Sequence, residues 1–156
     1  MEEIVIREAK VDEWEVAMEL AFRVFLKFEA REYGQKGTEA FAEFVTSESL
    51  RKLFIAGHYK VFIALCDEKI VGVTSVRNLN HISLLFVDAA YHRCGIGTAL
   101  IDYVADYLLD NKLSQEMTVN SSPYAIDFYH VQGFTDTDGQ IVEDGIIYTP
   151  MKRFLS

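Results

Sequence analysis

The fold is decided by residues 84–100, which read LLFVDAAYHRCGIGTAL. An apolar run that predicts a strand leads into a loop with two glycines, and the loop leads into apolar residues at helical spacing. A helix N-terminus presents unpaired N–H groups and the positive end of the helix dipole, and glycines let a phosphate approach the backbone closely. The sequence therefore predicts an anion-binding cradle, and its residues are Gly95, Ile96, Gly97 and Thr98.

Three β-rich runs lead up to this loop and predict an antiparallel meander. Residues 59–66 and 70–76 lie close enough along the chain to form a hairpin around the turn at 67–69. A third run covers 81–87, so the loop is expected to follow the last strand of the meander.

Alternating helices and strands follow the loop. The spacing predicts a helix over 98–109, a short strand over 117–119 and a helix over 123–131. Two last strands are expected on either side of Asp138-Gly139, the second of them over 146–151. We therefore expect an α/β (mixed α+β) fold, in which a mixed, mostly antiparallel sheet of about seven strands is flanked by about four helices.

The N-terminal third predicts a strand followed by helices. The strand opens at 5–6, and Asp12 with Glu15 three residues later predicts the capped start of the first helix. Thr38 and Ser47 are expected to cap the helices that follow. The buried face of the first helix is expected to contain Trp14, Met18, Ala21, Phe22, Phe25 and Phe28.

Length, composition and charge narrow the class of protein. The 156 residues, half of them apolar, predict one globular domain over 1–156. A formal net charge of -9 opposes binding to nucleic acid, whose affinity rests on Lys and Arg, and would attract cationic substrates. The charged first ten residues and the short apolar runs predict neither a secretory signal nor a membrane span. We therefore expect a cytoplasmic protein with no membrane partner.

Two common phosphate-binding motifs and a metal site lack support. A P-loop needs a lysine between its last glycine and the following Ser or Thr, but Thr98 follows Gly97 directly. A dinucleotide fingerprint needs a third glycine at the position of Leu100. Cys66 and Cys94 are too few for a zinc site or a disulfide framework, so we expect reduced thiols and no metal.

The loop instead resembles the acetyl-CoA signature of the GNAT superfamily of N-acetyltransferases. In that signature Arg or Gln, two variable residues, Gly, any residue and then Gly or Ala follow the central strand, and the matching frame here is residues 92–97, HRCGIG. His92 replaces the Arg or Gln, and Arg93 lies beside it. The replacement affects a side-chain contact with the pyrophosphate but not the backbone contacts. A second segment, residues 120–134 (NSSPYAIDFYHVQGF), resembles the strand–helix part of the same superfamily.

The resemblance implies an acetyl-CoA-dependent N-acetyltransferase that acts on an amine by direct attack in a ternary complex. The backbone of Phe86 and Val87 would pair with the pantetheine arm, and Tyr129 would protonate the departing thiolate. The implied cofactor-binding residues are Phe86, Val87, His92, Arg93, Cys94, Gly95, Ile96, Gly97, Thr98, Ser122 and Tyr129.

Amine attack also needs a neutral nitrogen and hence a general base, for which the sequence offers several candidates. His81 is the predicted catalytic candidate, because the pKa of a histidine lies near the useful range. Glu29, Glu32 and Tyr33 lie where the superfamily often lines the acceptor site. Cys94 is interpreted as a passive loop residue, since the superfamily forms no acyl-enzyme.

Alternative functions and the identity of the acceptor stay open at this point. A non-catalytic CoA-binding or regulatory module would keep Gly95 and Gly97 but would need no acid. A nucleotide-binding protein would bind ATP without CoA. The acceptor can be a small molecule or a peptide or protein amine, and the apolar final strand is compatible with a homodimer.

Overall fold

The computed structural model describes residues 3–156, which form eight strands, five α-helices and three short 3-10 turns. The strands are β1 (Ile4–Glu8), β2 (Lys60–Cys66), β3 (Lys69–Arg77), β4 (His81–Val87), β5 (Glu116–Ser121), β6 (Thr135–Asp136), β7 (Ile141–Glu143) and β8 (Ile146–Phe154). The helices are α1 (Trp14–Phe28), α2 (Ala30–Val45), α3 (Glu48–Ile55), α4 (Ile96–Asp110) and α5 (Ile126–Val131). The 3-10 turns are Val11–Glu13, Ala89–Tyr91 and Pro123–Ala125. Within the described residues, no helix is long and apolar enough to cross a membrane.

The strands form a mixed, mostly antiparallel sheet in the order β1-β2-β3-β4-β5-β8-β6, and β7 pairs with β8 outside that path. The parallel pair is β4 with β5. This arrangement confirms the expected fold class, with eight strands where about seven were expected. The additional strand is β7, whose three residues are too few to be recognised from their β propensity.

Because β7 lies between the two last strands that were expected around Asp138-Gly139, the tight turn of the C-terminal hairpin lies elsewhere. Glu143 pairs with Ile146, so the turn consists of Asp144-Gly145. Both turn residues have positive φ, 52° and 81°, as the favoured two-residue hairpin turns require. Asp138-Gly139 lies in the connection between β6 and β7.

Helices cover both faces of the sheet. Odd-numbered residues of Val61–Leu65 pack with α1, α2 and α3, whereas even-numbered residues of Phe62–Cys66 pack with α4 on the opposite face. Of the six residues expected on the buried face of α1, Trp14, Met18, Ala21 and Phe25 are buried and Phe22 and Phe28 are partly buried. Packing explains most of that aromatic stripe.

The predicted start of the first helix is wrong by two residues. The chain turns into a helix at Val11–Glu13, so Asp12 lies inside the first turn and not at its cap. The carboxylate of Glu13 accepts the backbone N–H of Lys10 at 2.7 Å, and it also pairs with both terminal nitrogens of Arg7, at 2.8 and 2.9 Å. This double use of Glu13, which the spacing of Asp12 and Glu15 did not indicate, fixes the entry into α1.

One of the two later cap predictions is confirmed and the other is wrong. Ser47 caps α3, since its Oγ accepts the backbone N–H of Leu50 at 3.1 Å. Thr38 lies within α2, which has already begun at Ala30. Gly34 interrupts α2 with a kink that separates two helical pieces, because its φ of 70° and ψ of -172° are not helical and are open to glycine at little cost.

The centre of the sheet opens between β4 and β5. The two strands pair at His81 with Thr118 and at Ile82 with Val119, and then separate. Beyond that point β4 stays with β3 as far as Val87, while β5 stays with β8 as far as Ser121. The separation leaves one edge of β4 available to a ligand in the middle of the sheet.

Candidate functional site

Two cavities lie on either side of this opening and meet within it. The first, of about 760 Å³, contains the glycine loop and is called here the loop cavity. The second, of about 410 Å³, contains the β7–β8 turn and is called the hairpin cavity. The residues that line both are Glu29, Leu85, Phe86, Ala125 and Tyr129. A molecule in one cavity can therefore react with a molecule in the other at this junction.

The loop cavity is built from the end of β4 and the start of α4. The Asp88 carboxylate accepts the N–H of Ala90 at 3.0 Å and pairs with Arg23 at 3.0 Å, which fixes the exit of β4. These two contacts lower the pKa of Asp88, so its charge is structural. Arg93 and Gly95 have positive φ, 65° and 78°, and turn the chain into α4 at Ile96.

Gly97 brings the first turn of α4 against α5. A Cβ at this position would lie 3.2 Å from Cζ of Phe128, so a side chain would force the two elements apart. In the same region, the side-chain amide of Gln132 donates to the Thr98 hydroxyl at 2.9 Å. The loop thus rests on α5, the helix that carries Tyr129.

His92 points back to β4 and not along the loop. Its Nε2–H donates to the carbonyl oxygen of Val87 at 2.7 Å, since a carbonyl can only accept. The imidazole also packs on the ring of Phe28, with 4.8 Å between the ring centres. In this position the side chain stabilises the loop, and Arg93 is the one Arg or Lys among the described residues that lines the loop cavity.

Tyr129 lies at the junction in a closely packed aromatic environment. It is 6% exposed, and its ring meets those of Phe128 and Phe134 edge-on at 5.3 and 5.4 Å. Burial raises the pKa of the Tyr129 phenol, and the charge of Glu29 and the nearby Tyr33 raise it further. The neutral phenol is therefore strongly favoured at rest, and it can donate a hydrogen bond but does not ionise readily.

Glu29 also lines the junction, and it lies at the break between α1 and α2. Burial raises the pKa of Glu29 to about 7, and the charge of Glu32 adds to the increase. The nearby Ser122 hydroxyl lowers this pKa by more than Glu32 raises it, although its buried Oγ completes no hydrogen bond of good geometry within residues 3–156. Glu29 therefore exchanges protons near neutral pH beside an unsatisfied hydroxyl.

His81 lies further along the hairpin cavity, at the start of β4. Its Nδ1 is 2.8 Å from the hydroxyl of Thr118. Burial lowers the pKa of His81 to about 4, and the positive charge of Arg77 lowers it further. At neutral pH the imidazole is therefore uncharged.

The predicted site residues do not all lie in one cavity. His92, Arg93, Gly95, Ile96, Gly97, Thr98, Phe86, Val87 and Tyr129 line the loop cavity. His81 and Ser122 line the hairpin cavity, together with Tyr33. Cys94 is exposed outside both cavities, and so is Glu32.

Sequence reasoning did not predict β7 or its turn with β8, although the resemblance implies that residues 138–150 contribute to acceptor specificity. Glu143, Asp144 and Tyr148 line the hairpin cavity, and the turn packs on α2 through two glycines. A Cβ on Gly37 would lie 2.6 Å from the carbonyl oxygen of Gly145, so this contact excludes any side chain. An Asp-Gly pair between short apolar runs is a hairpin signal, and Asp144-Gly145 could have been recognised from it.

Known proteins share both the sequence pattern and the fold. The family model described as "Acetyltransferase (GNAT) domain" matches residues 29–155. The GCN5-related N-acetyltransferase from Rhodopseudomonas palustris has a TM-score of 0.82 and 23% identity, over 97% of this chain and 95% of that one. The PaiA N-acetyltransferase from Thermoplasma acidophilum, solved with coenzyme A, has a TM-score of 0.80 and 18% identity, over 97% and 99%. Apo YjaB from Escherichia coli has a TM-score of 0.74 and 19% identity, over 99% of both chains. No curated protein matched the chain.

The family match covers most of the chain, including the glycine loop and the residues at the junction of the two cavities. The protein therefore belongs to the GNAT acetyltransferase family and is an acyltransferase.

Proposed function

We propose that the protein transfers the acetyl group of acetyl-CoA to an amine by direct attack, with acetyl-CoA in the loop cavity and the amine in the hairpin cavity. The observation that carries the proposal is that the two cavities meet at Glu29 and Tyr129, a base and an acid of suitable chemistry. The Thermoplasma neighbour of the same fold, solved with coenzyme A, supports the choice of cosubstrate.

The residues of the loop cavity fit coenzyme A. The N-terminus of the 15-residue α4, preceded by Gly95, offers N–H groups and a favourable dipole to a pyrophosphate. Arg93 supplies a positive charge beside them, while His92 contributes indirectly by holding the loop to Val87. We place the phosphates there and the pantetheine arm along β4.

The edge of β4 has a defined set of groups for that arm. The N–H of Asp88 donates to Val71 of β3, so alternation along the strand turns the N–H and C=O of Val87 to the opposite, open edge. His92 already occupies the Val87 carbonyl. We therefore assign the N–H of Val87 and both backbone groups of Leu85 to the pantetheine amides, in place of the expected Phe86, whose backbone groups face β3.

We assign the general base to Glu29 and not to His81. A base works best when its pKa lies near the working pH, which the pKa of about 7 of Glu29 satisfies. The pKa of about 4 makes His81 a much weaker base, and it lines the hairpin cavity away from the shared junction. In the proposed mechanism His81 is an uncharged side chain that lines the acceptor site.

Acetyl-CoA supplies a thioester, which is an activated acyl donor. The carboxylate of Glu29 removes the proton of the attacking amine as the C–N bond forms. As the C–S bond breaks, the phenol of Tyr129 gives its proton to the departing sulfur. Glu29 then returns its proton to Tyr129, so the products are the N-acetylated amine and free CoA thiol, and both residues are regenerated.

The two proton transfers are coupled by charge. Proton transfer from a phenol with a pKa of about 10 to the thiolate of a thiol with a pKa of about 8.5 costs about 2 kcal/mol in water. Burial of Tyr129 increases that cost. The charge of Glu29 is one cause of the increase. Because Glu29 becomes neutral when it takes the amine proton, the attack itself makes Tyr129 a better acid.

Calorimetry with acetyl-CoA, and with ATP as the control, tests the cosubstrate assignment. Micromolar binding of acetyl-CoA without ATP binding supports the proposal. Acetyl-CoA binding without turnover of any amine would favour the non-catalytic module, and ATP binding without acetyl-CoA binding would favour a nucleotide-binding protein.

A further inference from the structure

The residues that line the hairpin cavity indicate what kind of amine the site accepts. We propose that the acceptor is an aliphatic diamine, whose first nitrogen reacts at Glu29 and whose second nitrogen is bound as an ammonium group at the β7–β8 hairpin. This inference rests on the proposed function and specifies its second substrate.

The charges that line the hairpin cavity are predominantly negative. Glu29 lies at the inner end, and Glu143 and Asp144 belong to the hairpin. Arg77 is the cationic side chain among the described lining residues. The charge of Asp144 is only weakly compensated, since Lys36 lies 3.9 Å away and both side chains are largely exposed. The mouth of the cavity therefore attracts a cation.

Between the two ends, the cavity walls are aromatic. Phe41 and Phe44 line it from α2, and Tyr148 lines it from β8. The Tyr148 hydroxyl donates to the Glu143 carboxylate at 3.2 Å, which holds ring and carboxylate together. Aromatic faces accommodate an alkyl chain, and they also attract an ammonium group.

The inner end offers an unsatisfied acceptor for the first nitrogen. The hydroxyl of Ser122, in a side chain that is only 6% exposed, lines the cavity beside Glu29 without a hydrogen-bond partner in residues 3–156. A buried hydroxyl oxygen without a partner is uncommon, and an amine N–H would satisfy it. Ser122 and Glu29 together therefore hold the reacting nitrogen.

The size of the cavity suits such a molecule. A volume of about 410 Å³ accommodates roughly a dozen water-sized groups at about 30 Å³ each. A diamine with six methylenes has eight heavy atoms and leaves room for the acetyl group at the junction.

Three amines of matched length test the inference: 1,6-diaminohexane, 1-aminohexane and 6-aminohexanoate, with a cationic, an apolar and an anionic tail. In a CoA-thiol release assay we expect kcat/KM to be about 10-fold higher for the diamine than for 1-aminohexane, and lowest for 6-aminohexanoate. Raised ionic strength should reduce the preference, because the mouth of the cavity is exposed.

A pair of variants locates the effect. The double change Glu143→Gln with Asp144→Asn should bring the ratio of diamine to 1-aminohexane to within about 2-fold of unity, because it removes the carboxylates of the hairpin. Asp106→Asn, an exposed carboxylate of α4 outside both cavities, is the matched control and should keep the full ratio.

The outcomes separate this inference from the proposed function. Equal rates for the diamine and 1-aminohexane, or a preference for 6-aminohexanoate through Arg77, would overturn the diamine assignment while leaving the transferase intact. If no amine releases thiol, the proposed function fails, and calorimetric binding of the three amines still decides the inference. Tighter binding of the diamine supports it, and equal binding contradicts it.

Discussion

Glu29 and Tyr129 both line the junction of the loop cavity with the hairpin cavity, where burial and the charge of Glu29 raise the pKa of Tyr129. In the mechanism that we propose, this relationship joins the two ends of one reaction. The residue that takes a proton from the amine also controls how readily its partner gives a proton to sulfur.

The pH dependence of turnover should report on Glu29. Because a base must be deprotonated, kcat/KM is expected to rise with pH through about 7, the pKa to which burial raises Glu29. Glu29→Gln should lower kcat by about 100-fold and abolish this rise, leaving only the ionisation of the amine itself. Glu43→Gln, an exposed carboxylate of α2 outside both cavities, is the control and should keep the wild-type profile. A rise through 7 that persists in Glu29→Gln would remove Glu29 from the mechanism.

The same carboxyl should make the folded protein less stable at high pH. The pKa of Glu29 is about 7 in the folded protein, above its ordinary value of 4.5. Between these two pH values the folded protein keeps a proton on Glu29 that the unfolded chain has released. The contribution of this proton to the free energy of unfolding is fully present below about pH 4.5 and is lost as the pH rises through 7. Glu29→Gln should therefore stabilise the protein at pH 8 by on the order of 2 kcal/mol, measured by urea denaturation. No gain at pH 8 would mean that Glu29 is not buried as described.

Removal of the phenol should affect chemistry and not cosubstrate binding. Tyr129→Phe keeps the ring between Phe128 and Phe134 but lacks the proton donor. We expect kcat to fall by about 100-fold with the calorimetric Kd for acetyl-CoA unchanged. Tyr103→Phe, on α4 outside both cavities, is the matched control. Wild-type turnover by Tyr129→Phe would show that another group protonates the thiolate.

The fit of the glycine loop against α5 should be visible in acetyl-CoA affinity. A methyl group at Gly97 would lie 3.2 Å from Phe128 and displace the first turn of α4 from the helix that carries Tyr129. We expect Gly97→Ala to weaken acetyl-CoA binding by about 10-fold, or about 1.4 kcal/mol, in calorimetry. Gly139→Ala, where an added Cβ has no neighbour within 4 Å, should bind normally. Equal affinity of the two variants would contradict the role of this contact.

Much of the fold followed from local sequence signals. The hairpin around 67–69 and the strand over 81–87 were predicted with nearly the observed limits, because long apolar runs and turn residues agreed there. The short β7 was not predicted, and the predicted start of α1 was wrong. Both depend on partners elsewhere in the structure, β8 in the first case and Arg7 in the second.

The candidate site was predictable in part. The glycine loop and Tyr129 stood out because their spacing resembled a known signature. Glu29 could not be separated from Glu32 in the sequence, since only the folded chain buries one and exposes the other. The contact of His92 with Val87 likewise depends on the path of the loop.

The most direct test of the central claim is the initial rate of CoA-thiol release by the wild-type protein, with acetyl-CoA and a diamine varied together. We expect thiol release that requires both substrates, intersecting double-reciprocal lines, and one N-acetylated amine for each thiol by mass spectrometry. Parallel lines with an acetyl group on the protein, for example on Cys94, would contradict direct attack at the junction of Glu29 and Tyr129.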